Sequence, residues 1–111
     1  SGLMATDQAL ADAVLAAGEA SGDRAWQLPL WDEYRDMVKA ESADLKNLAG
    51  RAAGSITAGA FLAHFAGDHP FVHLDIAGTA WIDAPTKPYV ASGGTGAGVR
   101  IVTQYLRDLV A

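Results

Sequence analysis

The side chains best suited to chemistry gather in residues 64–75, where His64, Asp68, His69, His73 and Asp75 fall within a short stretch. His73-Leu74-Asp75 is the sharpest pair. On a strand, positions two apart share a face, so an imidazole and a carboxylate could hold one metal ion. First-row metal sites usually take three or more protein ligands, and His69 is the nearest third donor. The competing reading is a hydrogen bond from His73 to Asp75 or to a backbone carbonyl. A second candidate is Gly93-Gly94-Thr95-Gly96-Ala97-Gly98 ahead of a helix. Amides at a helix start can hold a phosphate or carboxylate. The dinucleotide fingerprint fails, because Val99 stands where its third glycine should be. The triphosphate loop fails too, because no Lys-Ser or Lys-Thr follows. A loop that closes against the sheet is the simpler expectation. Ser55 and Ser92 lack the nucleophile-elbow pattern and read as a cap and a turn. Arg51, between glycines, could pair with a carboxylate at an interface or stand in solvent. Trp26, Trp31 and Trp81 read as core or interface anchors. No set of acids, bases and nucleophile closes into a mechanism.

The elements that must position these groups alternate between helical periodicity and short apolar runs, which predicts an α/β architecture with helices packed on a mixed sheet. A first helix is expected over residues 7–21, with Thr6 as N-cap, an apolar face of Leu10, Val14 and Ala17, and Gly22 as its stop. Pro29 makes residues 25–30 a short extended or edge segment. A second helix is expected over 32–40, then a strand or loop over 44–50. Ser55 would cap a third helix over 56–66. That helix is apolar nearly all round (Ile56, Ala58, Ala60, Phe61, Leu62, Ala63, Phe65), a pattern normally buried on several sides. Residues 71–77 form the clearest strand, with Val72, Leu74 and Ile76 on one face and Phe71, His73, Asp75 and Ala77 on the other. Residues 82–94 read as a loop. A last helix ends at Val110, with Val99, Val102, Leu106 and Leu109 as its apolar stripe.

Composition narrows the possible roles. The chain has 111 residues, enough for one domain at most, here a single partial domain over 1–111. Thirteen acids against eight bases give a net charge of −5, which offers no basic footprint for nucleic acid. The absence of cysteine excludes a disulfide scaffold, a thiolate metal site and a cysteine nucleophile, and suits a reducing compartment. No apolar run approaches the roughly 18 residues of a membrane span. The first residues lack the basic and apolar regions of a signal peptide. The abrupt apolar start and the apolar third helix suggest a missing partner.

Four segments stand out in order: Ser21-Gly22-Asp23-Arg24-Ala25-Trp26-Gln27-Leu28-Pro29-Leu30 with the Trp31-Asp32-Glu33-Tyr34 helix start; Ala43-Asp44-Leu45-Lys46-Asn47-Leu48-Ala49-Gly50-Arg51 leading into Ser55-Ile56-Thr57-Ala58; His73-Leu74-Asp75-Ile76-Ala77-Gly78-Thr79-Ala80-Trp81; and Thr95-Gly96. With Gly2-Leu3-Met4 in the same register, they resemble the C-terminal part of the leucyl aminopeptidase family, the cytosolic di-metal aminopeptidases. The resemblance implies the C-terminal portion of a three-layer α/β/α catalytic domain, cytoplasmic and hexameric in the family. It implies two divalent ions (Zn, Mn or Mg) in the parent enzyme, acting on peptides. The family signature Asn-Thr-Asp-Ala-Glu-Gly-Arg is absent, so the chain is expected to carry no catalytic residue and no metal ligand, to bind no metal alone and to be inactive without the N-terminal part of the enzyme. What it would keep is a wall of the pocket for the substrate's first side chain: Leu48, Ala77 and Ala80. Leu48 replaces a common isoleucine, Ala80 is smaller than the residue many members carry, and Ala97-Gly98 stands where many have Arg-Pro. The alternatives are a non-catalytic assembly module and a small metal domain around His69, His73 and Asp75.

Overall fold

In the computed structural model, which describes all 111 residues, the order is β1 (Gly2–Ala5), α1 (Gln8–Ser21), β2 (Trp26–Gln27), α2 (Asp32–Asp36), α3 (Gly54–Ala63), β3 (Val72–Asp75), β4 (Trp81–Ile82), β5 (Gly93–Gly94) and α4 (Val99–Val110). β1 is the middle strand of a three-stranded mixed sheet, parallel to β2 (Leu3 opposite Gln27) and antiparallel to β3 (Leu3 opposite Leu74). Successive side chains of a strand point to opposite faces, so Leu3 and Met4, both fully buried, look opposite ways. Leu3 joins Ala11, Val14 and Ile101 in the main core, with Val72 and Leu74 packed against it, so α1 and α4 cover that face. Met4 meets α3 on the other. A Cβ added at Gly59 would lie 3.2 Å from the Met4 Cβ, so only glycine lets α3 sit this close to the strand. Helices therefore lie on both faces of a mixed sheet, as expected.

The local corrections have physical causes. Asp7, not Thr6, caps α1: its Oδ1 accepts from the Leu10 amide at 2.7 Å. Thr6 instead accepts the Phe71 amide at 2.9 Å and ties the end of β1 to the approach to β3. Gly22 ends α1 in the left-handed region at φ 71°, as its position implied. α2 stops at Asp36 rather than Ala40. The Val38 carbonyl is taken by the Lys46 amide at 2.8 Å in a bridge that pins residues 39 and 45 together, so the helical ladder cannot continue. Ser55 does not cap α3. The helix begins at Gly54, two residues before the expected Ile56, behind Ala53 at φ 54°, and ends at Ala63 rather than Ala66. α3 buries only its small side, Thr57, Gly59, Ala60 and Ala63, while Leu62 is exposed and Phe65, just beyond the helix, lies outside the core. The expected burial on several sides is not met within this chain.

Two further differences concern the C-terminal third. β4 and β5 pair antiparallel, Trp81 opposite Gly94, so residues 83–92 are a loop closed at its base. In α4 the buried residue is Ile101, and the expected stripe of Val99, Val102, Leu106 and Leu109 is exposed. The helix docks by its Ile101 side because α1 offers Gly18 there, where a Cβ would come within 2.9 Å of Ile101 Cδ1. Val102 and Leu106 line an open groove of about 440 Å³ with Leu10, Val14, Val72 and Leu74. No helix is long and apolar enough to cross a membrane.

Candidate functional site

The carboxyl end of β3 leads straight into a braced turn over residues 76–80. The Thr79 and Ala80 amides donate to the Ile76 carbonyl at 2.9 and 2.8 Å. The Thr95 amide donates to the Ala80 carbonyl at 2.9 Å, and the Thr95 hydroxyl donates to the Thr79 carbonyl. Ala77 and Ala80 thus sit on one rigid turn, Ala77 exposed and Ala80 half-buried. The turn lies past the carboxyl end of β3, which is the amino end of β1, since Gly2 pairs with Asp75. Leu48 is on a separate loop between the 39–45 bridge and α3, with 75% of its surface exposed. No hydrogen bond joins that loop to the turn, and the five principal cavities are lined by none of Leu48, Ala77 and Ala80. Three small or medium apolar side chains can shape a wall. They cannot move a proton or attack a carbonyl.

Asp75 closes the strand as a local brace. The Ser55 hydroxyl beside it and the Ala77 amide, which donates to Oδ1 at 2.9 Å, hold its carboxyl below the ordinary carboxylate value, with the His73 charge adding to the effect. A depressed carboxyl pKa stabilises the fold above the unfolded value near 4, and that stabilisation is lost as pH falls through the folded value. Asp75→Asn should therefore lower the urea midpoint at pH 7 and much less at pH 3. An equal gap at both pH values would show that the carboxylate charge plays no part. The group is mostly exposed, so the expected effect is small.

The histidines do not form a metal centre. His73 and Asp75 share a face of β3, but His69 lies on the turn before the strand, beside Asp68, Asp7 and Arg35 around a cavity of about 210 Å³. No group of three or more His, Asp and Glu side chains converges to hold an ion. The two divalent ions implied for the parent enzyme thus do not fit the residues of this chain.

The glycine-rich run also resolves. Gly93, Gly96 and Gly98 adopt φ of 105°, 72° and 91°, which explains the residue type. The amides at the start of α4 already hold an anion from within the chain. Asp23 Oδ2 accepts from Gly98 N at 2.9 Å and from Ile101 N at 3.2 Å. Sequence reasoning missed this role of Asp23, which lies 75 residues away from Gly98. The only local sign was an acid directly behind a helix-stopping glycine. The three tryptophans are exposed rather than core. Trp31 stacks on Tyr34 at 6.0 Å, and Trp81 Nε1 donates to Asp83 at 2.9 Å.

A mixed sheet with helices on both faces is the architecture of an α/β domain. The family model described as "Cytosol aminopeptidase family, catalytic domain" matches residues 1–103, and the chain belongs to that family. It is 61% identical over 107 residues to a probable cytosol aminopeptidase of Roseiflexus castenholzii, covering 96% of this chain and 22% of the relative. A probable cytosol aminopeptidase of Geobacter sulfurreducens is 50% identical over 110 residues, 99% of this chain and 22% of the relative. Among solved structures, the bottromycin maturation enzyme BotP in complex with Mn superposes with a TM-score of 0.91 at 38% identity, over 99% of this chain and 24% of that one. The cytosol aminopeptidase of Coxiella burnetii superposes with a TM-score of 0.84 at 39% identity, over 96% of this chain and 23% of that one. The chain therefore spans about a fifth of the length of the curated relatives it matches.

Proposed function

We propose that this chain is the C-terminal part of a di-metal aminopeptidase that removes N-terminal residues, with a leaning to leucine-like side chains, from peptides in the cytoplasm. The observation that carries the reading is the coverage: 96% of this chain aligns with 22% of a probable cytosol aminopeptidase at 61% identity. In such an enzyme two bound divalent ions would supply Lewis-acid chemistry, held by residues outside this chain. Their ligands belong to the upstream part, which is the first partner of this chain. The residues here do other work. Leu48, Ala77 and Ala80 form part of the wall around the substrate's first side chain and exclude water from it. The hydrogen bonds of Thr79, Ala80 and Thr95 keep the turn in one shape, so the pocket has a fixed width. Hexameric assembly, as in the family, would cover apolar surface that this chain leaves open.

The test is hydrolysis of leucine p-nitroanilide with added Mn²⁺ or Zn²⁺. The chain alone should show no turnover. Supplying the upstream part as a second polypeptide should restore metal-dependent turnover. In the restored enzyme, Ala80→Phe should shift the preference between leucine and alanine substrates roughly tenfold toward alanine. Turnover by the 111-residue chain with metal alone would sink the reading.

A second reading, a non-catalytic assembly module, draws on the exposed Val102, Leu106, Leu109 and Val110 of α4. Large exposed apolar patches mark interaction sites. Sedimentation velocity should then show concentration-dependent association of the chain alone, and a monomer at all concentrations would rule it out.

A further inference from the structure

One cleft of about 410 Å³ is built differently from the rest of the surface, and four parts of the fold meet in it. These are the corner between α1 and β2, the turn at Thr79, the loop between β4 and β5, and the first turn of α4. Its charged side chains are Arg24, Lys87, Arg100 and the single acid Asp23, and Ser1, whose amine donates to the Arg24 carbonyl at 3.0 Å, also lines it. Asp23 Oδ2 is already committed to the amides of Gly98 and Ile101. None of the three cations has a carboxylate partner, since the two ion pairs of the chain are Arg35 with Asp32 and Lys39 with Asp36. A chain of net charge −5 has thus gathered three of its eight bases around one concavity and left them unpaired. Like charges brought together in a cleft repel one another and raise the local concentration of anions.

Two of the cations also have neighbours within the chain. Arg100 Nη2 reaches the Gly22 carbonyl at 3.5 Å, and Lys87 Nζ lies 5.7 Å from the centre of the Tyr89 ring. The hydroxyls of Thr86 and Tyr89 line the same space and make no hydrogen bond within the chain. The volume falls in the usual range of small-molecule sites, roughly 300–1,000 Å³. We propose that this cleft binds a small, multiply charged oxyanion, with Arg24, Lys87 and Arg100 supplying charge-assisted hydrogen bonds. Thr79, in the cleft wall, lies between Ala77 and Ala80 in the turn, so an occupant would brace the same turn from its other side. The proposal stands on this geometry within residues 1–111, with Ser1 at the cleft wall.

The experiment is calorimetric titration of the full chain with pyrophosphate and, separately, with citrate, at ionic strength balanced with sodium chloride. Saturable one-site binding of either is the expected result. Pyrophosphate alone would point to a phosphate-bearing ligand, citrate alone to a carboxylate-bearing one, and both to recognition of the shared charge. Lys87→Gln, on an exposed loop, should weaken binding about tenfold, and the Arg24→Gln, Lys87→Gln double variant should abolish it, with the far-ultraviolet circular dichroism unchanged. Lys46→Gln, outside the cleft, should bind like the parent. The proposal is overturned if neither anion binds saturably, or if the double variant binds as tightly as the parent chain.

Discussion

Asp23→Ala should lower the stability of the chain by about 2–3 kcal/mol, among the largest effects of any single polar replacement. The first amides of a helix have no partner inside it, and α4 has no remedy of its own. Its cap residue is Gly98, which has no side chain to offer, and its first turn carries no acid. Asp23 supplies both missing things at once. One carboxylate oxygen takes the amides of Gly98 and Ile101, and a negative charge sits at the positive end of the helix. The Ile101 bond is fully buried, so truncation leaves a donor that water cannot reach. Asp23→Asn keeps an acceptor without the charge and should cost about half as much. Urea titration followed by circular dichroism would check both. An unchanged midpoint for Asp23→Ala would mean that α4 is held by packing alone.

Ile101→Ala should cost about 3 kcal/mol, in the range of buried aliphatic truncations. Ile101 is only 1% exposed and packs with Leu3, Ala11 and Val14. Gly18 opposite it cannot move in to fill the space, because its backbone is fixed within α1 and it has no side chain to extend. The contrast within the same helix makes the test specific. Val99→Ala, at an exposed position, should change stability by less than about 0.5 kcal/mol. Equal effects at 99 and 101 would mean that the docked face of α4 is wrongly assigned. Asp23 and Ile101 secure the same turn, so the double variant should cost less than the sum of the two.

Periodicity carried much of the architecture. The stop of α1 at Gly22, the two faces of β3 and the glycine entry to α4 were all readable, because each depends on neighbours along the chain. β1 was not read as a strand at all. Four residues, Gly2-Leu3-Met4-Ala5, hold too few alternations to show a period, and their place in the middle of the sheet comes from partners 24 and 67–73 residues away. The docked side of α4 was misread for a related reason. Its stripe of Val99, Val102, Leu106 and Leu109 has perfect helical spacing, but which side docks was decided by the room at Gly18 on another helix. At the site, Ala77 and Ala80 were singled out by family resemblance, and only their place at the end of a strand was readable from the pattern. Leu48 was singled out by family resemblance alone, and its loop has no periodicity to place it. Asp23 and the cleft of Arg24, Lys87 and Arg100 depend on segments that meet only after folding.

The central position of β1 has a consequence for how this chain emerges from the ribosome. β1 is made among the first residues of this segment, yet its Leu3 pairs with Leu74, and α4, which covers that face, begins only at Val99. During synthesis β2 can pair with β1 early, but the apolar cover of Leu3 is complete only when Ile101 of α4 has been made. At about 5–20 residues per second that interval is on the order of 5–20 s. Pairings so distant along the chain also form slowly once the chain is free. Within this segment, one of the most deeply buried strands is therefore among the last to be fully covered.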